Sequence, residues 1–131
     1  MPEKPKSIEV LEPIDLTGKV ERVTRVEARE MFKRARKVID KLSTHYLEWA
    51  DEDIDELAAE LAGARADPAD REAHIDRIFF IAHDMKGQGA TFGYPLITEI
   101  CKSLCYFLSN VDHNSRLALD VVAVHVAALR F

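Results

Sequence analysis

One stretch of the chain, IAHDMKGQGATFGYPL from Ile81 to Leu96, gathers residue types that could do chemistry together. On a helical wheel at 100° per residue with His83 at zero, Ile75, Ile78, Ala82 and Gly89 fall at about −80°, −140°, −100° and −120°. His83 sits about 110° from the centre of that apolar stripe, at the edge of the polar face. Lys86 at i+3 and Gly87 at i+4 share its face one turn further on. An imidazole, an ammonium and a patch of bare backbone therefore lie side by side. A solvent-facing imidazole is largely neutral and nucleophilic near neutral pH. Two glycines within one helical pattern are expensive, at about 0.5–1 kcal/mol each relative to alanine. Gly87, on the histidine face, reads as room for the close approach of a partner. Gly89, on the core side, reads as room for tight helix packing.

The elements that must position these residues are helical. Three of the five prolines, Pro2, Pro5 and Pro13, fall in the first thirteen residues and Gly18 follows, so 1–22 reads as an extended arm, strand-like around 8–11. Residues 23–131 read as one helical domain. A short first helix is expected over 25–41, with Val26, Met31, Phe32, Ala35, Val38, Ile39 and Leu42 at three-and-four spacing. A second is expected to start at Ser43 or Thr44 and to turn Leu47, Ala50, Ile54, Leu57 and Leu61 inward, with Asp51, Glu52, Asp53, Asp55 and Glu56 on its solvated face. Asp70 is a plausible cap for a third helix over 70–89. Gly93 and Pro95 bracket the start of a fourth over 95–109, with Leu96, Ile100, Leu104 and Phe107 inward. A last helix, 116–129, is apolar nearly all round. Short loops between amphipathic helices imply an all-α, antiparallel, up-and-down four-helix bundle, with the short extra helix and the arm in front of it.

Composition narrows the function classes. The chain has 131 residues, 47% of them hydrophobic and 31% charged, which suits one folded domain with an ordinary core. Its net charge of −5 argues against a nucleic-acid footprint, which wants a basic face. No apolar run approaches the ~20 residues needed to span a bilayer. The opening MPEKPKSIEV lacks the apolar core of a secretory signal, so a cytoplasmic location is expected. Two cysteines, Cys101 and Cys105, cannot build a disulfide scaffold.

The run AHxxKGxGxxxGxxL, carried here by His83, Lys86, Gly87, Gly93 and Leu96, resembles the signature of histidine-containing phosphotransfer (HPt) domains of bacterial two-component phosphorelays. That resemblance implies a phosphorelay intermediate with His83 as phosphoacceptor, most simply at Nε2. It implies Lys86 as a group that stabilises the phosphate; Gln88, polar and read on the outer face, could hydrogen-bond the phosphate or the partner. Phe79, Phe80, Asp84, Gly87 and Tyr94 become the docking surface for a partner, and Gly89, Gly93 and Leu96 the structural motif. The implied partners are response-regulator receiver domains and a sensor or hybrid histidine kinase. No cofactor or metal of its own is implied, because Mg²⁺ belongs to the receiver's acidic pocket. Nor is any autonomous kinase or ATPase activity, and a monomer is expected. Met85 stands where the family commonly has leucine, a nearly volume-neutral exchange. Nothing in the arm matches the family.

Other residues read more simply. His74 is nine residues before His83 and on the opposite helix face; His45, His113 and His125 lie in a helical turn, a polar turn and an apolar helix. Cys101 and Cys105, at i and i+4, could bridge a metal, but buried thiols are common in bundles. Phe80 fits a receiver-docking patch or contact with a neighbouring helix equally. Two rival functions follow: a phosphate-independent module that inhibits or scaffolds a receiver or kinase, and a metal- or haem-binding bundle using His83, His74 or the cysteines.

Overall fold

A computed structural model describes residues 24–130. The expected arm, 1–22, lies outside the described residues. Four α-helices follow one another: α1 (Arg25–Ala66), α2 (Arg71–Phe92), α3 (Pro95–Asn110) and α4 (Arg116–Leu129), with a 3₁₀ turn at Pro68–Asp70 before α2. Each helix packs on its neighbours in the chain, and α4 closes the ring against α1. No described helix is long and apolar enough to cross a membrane.

The separate short helix expected over 25–41 does not exist: those residues and 43–66 form one helix of 42 residues. Thr24 opens it with a capping box, its Oγ1 accepting from the Glu27 N–H while its own N–H donates to the Glu27 carboxylate, both at 3.2 Å. Ser43 and Thr44 do not cap a new start. Their hydroxyls donate back to the carbonyls of Asp40 (2.7 Å) and Lys41 (2.8 Å), a bonding mode open to either residue inside a helix. With no glycine or proline between 25 and 62, nothing interrupts the ladder. Residues 29–41 are all exposed, Phe32 at 76%. Over this part of α1 the three-and-four apolar pattern stays largely exposed, with Phe32, Ala35 and Ile39 on one side of an open groove whose other side is residues 90–93.

Burial begins where the other helices meet α1. Its inward arc runs through Tyr46, Trp49, Ala50, Asp53, Ile54, Leu57, Leu61 and Ala64. Leu47, expected inside, is 53% exposed, and Asp53, expected on the solvated face, is buried. Tyr46 and Trp49 explain the rotation, because large aromatics gain more from burial than leucine does and set the arc's edge. Tyr46 packs against Phe92 and Tyr94 at centroid distances of 5.2 and 5.1 Å. In α3 the arc is Cys101, Leu104, Cys105 and Leu108. Leu96 lies about 130° from its centre and is 69% exposed, so it is not the inward anchor that was expected. In α4 Ala118, Leu119, Val122, Val126 and Leu129 face in, leaving Leu117 and Val124 outside.

Polar contacts also fasten the helices. His74 Nδ1 meets Glu60 Oε2 at 2.6 Å, and its ring lies over Gly63 of α1. A Cβ at Gly63 would come within 2.5 Å of His74 Cε1. At the same end of the bundle, His113 in the α3–α4 turn bonds the Leu108 carbonyl through Nε2 (2.6 Å) and the Glu72 carboxylate of α2 through Nδ1 (3.1 Å). The Leu108 carbonyl, and after it Glu72, raise the His113 pKa above its ordinary value.

Two outcomes follow. Gly63→Ala should lower stability in urea unfolding, since overpacking costs about 1–3 kcal/mol while alanine's helix preference returns at most about 1 kcal/mol. Adding His74→Ala should recover part of the loss, and additive losses would show that the ring is not the obstacle. Because His113 holds its proton more tightly when folded, its link is fully present below the unfolded value near pH 6.5 and lost as pH rises through the folded one. Unfolding midpoints should therefore fall between pH 6 and 8 by more in the wild type than in His113→Gln.

Candidate functional site

The site lies midway along α2, whose ends are well defined. Glu72 falls in its first turn, and Gly93 terminates it in the left-handed conformation at φ 86°. The Tyr94 N–H returns to the Gly89 carbonyl at 2.7 Å, the long loop-back bond of a glycine-terminated helix. Pro95 then starts α3 at a position where its missing N–H is not needed.

Gly89 is where α2 and α3 come closest. A Cβ there would lie 2.7 Å from Thr98 Oγ1 and 3.2 Å from both the Thr98 nitrogen and the Tyr94 oxygen. The same Thr98 hydroxyl donates to the Lys86 carbonyl at 2.8 Å. Thr98 thus ties the backbone that carries Lys86 to the neighbouring helix. Sequence reasoning missed this residue, although the presence of Gly89 in a helix signalled that some neighbour had to come close.

His83 is exposed, and among the described residues neither of its ring nitrogens has a hydrogen-bond partner. Its orientation comes from Phe79 one turn earlier. The two rings lie nearly parallel, with centroids 6.1 Å apart and planes at 10°. Phe79 is itself half-buried and packs on the core, so the core holds the imidazole through it. Lys86 and Gly87 are half-buried one turn further on, and Phe80 is 64% exposed beside the histidine. The Lys86 ammonium is close enough to the Cys105 thiol to oppose the upward shift that burial gives it. Asp84 is half-buried on the α1 side, where its charge helps raise the Arg77 pKa, chiefly set by the 2.6 Å contact with Glu56.

Phe79, Phe80, His83, Lys86 and Gly87 thus share one region of α2. Gln88 does not belong to it. Expected on the outer face, it is 4% exposed, and its Oε1 has no hydrogen-bond partner among the described residues. The reason is that α2 is covered on two sides, by α1 and by α3. Its buried arc is therefore broader than the stripe through Ile75, Ile78, Ala82 and Gly89, and it extends through Ile81 to Gln88. Tyr94 lies at the α2–α3 corner, half-buried against Tyr46, eleven residues on from His83 and beyond the end of α2. Leu96 is exposed beyond that corner.

Cys101 and Cys105 are buried free thiols, Cys101 pushed up to about 12 chiefly by burial. No group of three or more His, Cys, Asp or Glu among the described residues is arranged to hold a metal ion. His74 is taken up by Glu60 on the far face of α2.

An exposed, core-braced imidazole beside an ammonium and bare backbone, on the second helix of a four-helix bundle, defines a class of helical phosphotransfer modules. The family model of the Hpt domain matches residues 41–130, and the chain belongs to that family. Hpt domains act in phosphotransfer in two-component phosphorelays and interact with receiver domains and kinases. No curated protein and no solved structure matches the chain. The matched segment starts where α1 begins to be buried, at half-buried Leu42 and buried Tyr46, and leaves out the exposed first turns of that helix.

Gln88→Met removes a buried, unpartnered carbonyl while keeping the side chain's length, and a group of this kind costs about 1–3 kcal/mol. The variant should unfold at higher urea than the wild type. A lower midpoint would mean that the amide is satisfied and structurally needed.

Proposed function

We propose that this protein relays a phosphoryl group through a phosphohistidine at His83. The observation that carries the reading is the exposed imidazole stacked on Phe79, with Lys86 and Gly87 one turn on, inside the segment matched as an Hpt domain. In the forward step the neutral Nε2 attacks phosphorus in the aspartyl phosphate of a receiver. The N–P bond forms, the P–O bond to the aspartyl carboxylate breaks, and the ring's Nδ1 proton passes to solvent. The reverse step returns the group to a second receiver. A kinase's phosphohistidine is an equally suitable donor.

Phosphoryl transfer of this kind depends on positioning and charge neutralisation more than on covalent work by the protein. Phe79 supplies positioning, and Lys86 offsets charge on the phosphoryl oxygens. Gly87 leaves space for the rim of the receiver's pocket, and Phe80 offers an apolar contact beside it. Asp84 lies at the edge of the docking face. The receiver's acidic pocket brings Mg²⁺, so the chain needs no cofactor, no ATP and no kinase activity of its own. We further propose that it works as a cytoplasmic monomer shuttling between receivers and a sensor or hybrid kinase.

Incubation with a phosphorylated receiver and Mg²⁺ should place label on the protein that survives base and is lost in acid, as phosphohistidine does. His83→Gln should remove that label altogether. Undiminished labelling of the variant would sink the assignment. Receiver binding without any label would favour a scaffold that regulates its partner without carrying phosphate.

A further inference from the structure

A phosphoryl group carries about −1.5 to −2 charge near neutral pH, more than the single ammonium of Lys86 can neutralise. The packing of α3 against α2 supplies a second cation. Two contacts fix their register: the Thr98 hydroxyl on the Lys86 carbonyl, and the Cys105 thiol 4.0 Å from the Phe79 carbonyl. Lys86 and Phe79 are seven residues apart on α2, and Thr98 and Cys105 are seven apart on α3 in the opposite sense. The helices therefore run antiparallel in constant register, with Ala82 and His83 level with residues 101 and 102.

Cys101 at that level is fully buried and faces the core, whereas Lys102 is exposed. Lys102 is one turn beyond Thr98, about 40° round α3 from it, on the solvent side of the edge that touches α2. On α2 the matching solvent-side edge carries Lys86, Phe79 and then His83, at about −60°, −40° and 0°. At Gly89 the two helices are close enough that a Cβ would lie 2.7 Å from Thr98 Oγ1. Lys86 and Lys102 thus flank the imidazole from two helices, and among the described residues neither ammonium has an ion-pair partner.

We infer that Lys102 is a second phosphate-binding cation, closing over the phosphoryl oxygens from α3 while Lys86 meets them from α2. This rests on the reading of His83 as phosphoacceptor. Lys102 has a long flexible stem and three donors, which suits a group that must engage an arriving anion and release it again.

The test uses phosphoramidate, a small donor that needs no receiver, so that contact with the phosphoryl group is separated from contact with a docking partner. The rate at which phosphoramidate labels the full-length wild type at His83 is compared with Lys102→Gln, Lys102→Arg and the distant control Lys37→Gln. Removing one partly solvated cation from an anion should slow labelling about three- to tenfold. Lys102→Arg should recover most of the rate, Lys37→Gln should match the wild type, and urea midpoints should be unchanged in all three. A wild type labelled at His83 with Lys102→Gln just as fast would overturn the role of Lys102 and leave the phosphoacceptor in place. A wild type that takes no label at His83 from phosphoramidate or from a receiver would remove the reading of His83, and the role of Lys102 with it.

Discussion

The contact between Gly89 and Thr98 governs the rest of the site. Only a residue without a side chain lets α3 approach α2 closely enough for the Thr98 hydroxyl to reach the Lys86 carbonyl. That approach sets the level at which every α3 residue meets α2, and it fixes the backbone from which Lys86 projects. Gly93 and Pro95 serve the same contact from the corner, ending one helix and starting the next within three residues. The imidazole is then placed by packing alone, through a phenyl ring that rests on the core, and its nitrogens stay available for chemistry.

The imidazole of His83 is thereby kept outside while the residues that orient it are inside. An exposed imidazole pays little desolvation and keeps free access for a partner as bulky as a folded domain. The supporting residues behave in the opposite way. Met85, Ala82, Cys101 and Leu104 are buried almost completely and carry no charge in that setting. Exposed ion pairs such as Arg65–Asp120 and Arg130–Asp55 join α1 to α4 on the side walls, where such pairs contribute about 0–1 kcal/mol each. Rigidity at the site thus comes from the hydrophobic core and not from these surface pairs.

Much of this was readable from residue order. The α2–α3 hairpin, the extent of α4 and the grouping of His83, Lys86 and Gly87 follow from periodicity, from Gly93 and Pro95, and from two glycines with no other reason to be in a helix. What misled was information that lives between helices. Ser43 and Thr44 look like a cap in one dimension, yet their hydroxyls can bond backwards with no break in the chain's course. Gln88 looks exposed until α1 is laid along the second side of α2. Leu96 and Leu47 fit an apolar spacing that the neighbouring Cys101, Tyr46 and Trp49 fit better. Thr98 carries no mark in the sequence at all, because a hydroxyl three residues past a proline is ordinary until the facing carbonyl is known.

The length of α1 has a consequence for how the molecule breathes. At 1.5 Å per residue its 42 residues extend about 63 Å, against about 33 Å for the 22 of α2. From Tyr46 onward its amides are held by the packing of the whole bundle, and they open only when the bundle does. Toward Thr24 they are held by a capping box and by helix propensity, which is marginal for isolated helices below about 12–15 residues. A single unbroken helix therefore contains a gradient of protection, with amide exchange slowing from its N-terminal turns to its middle. Fraying at that end can proceed independently of the imidazole on α2, so the chain has one element that is loose at one end and rigid at the other.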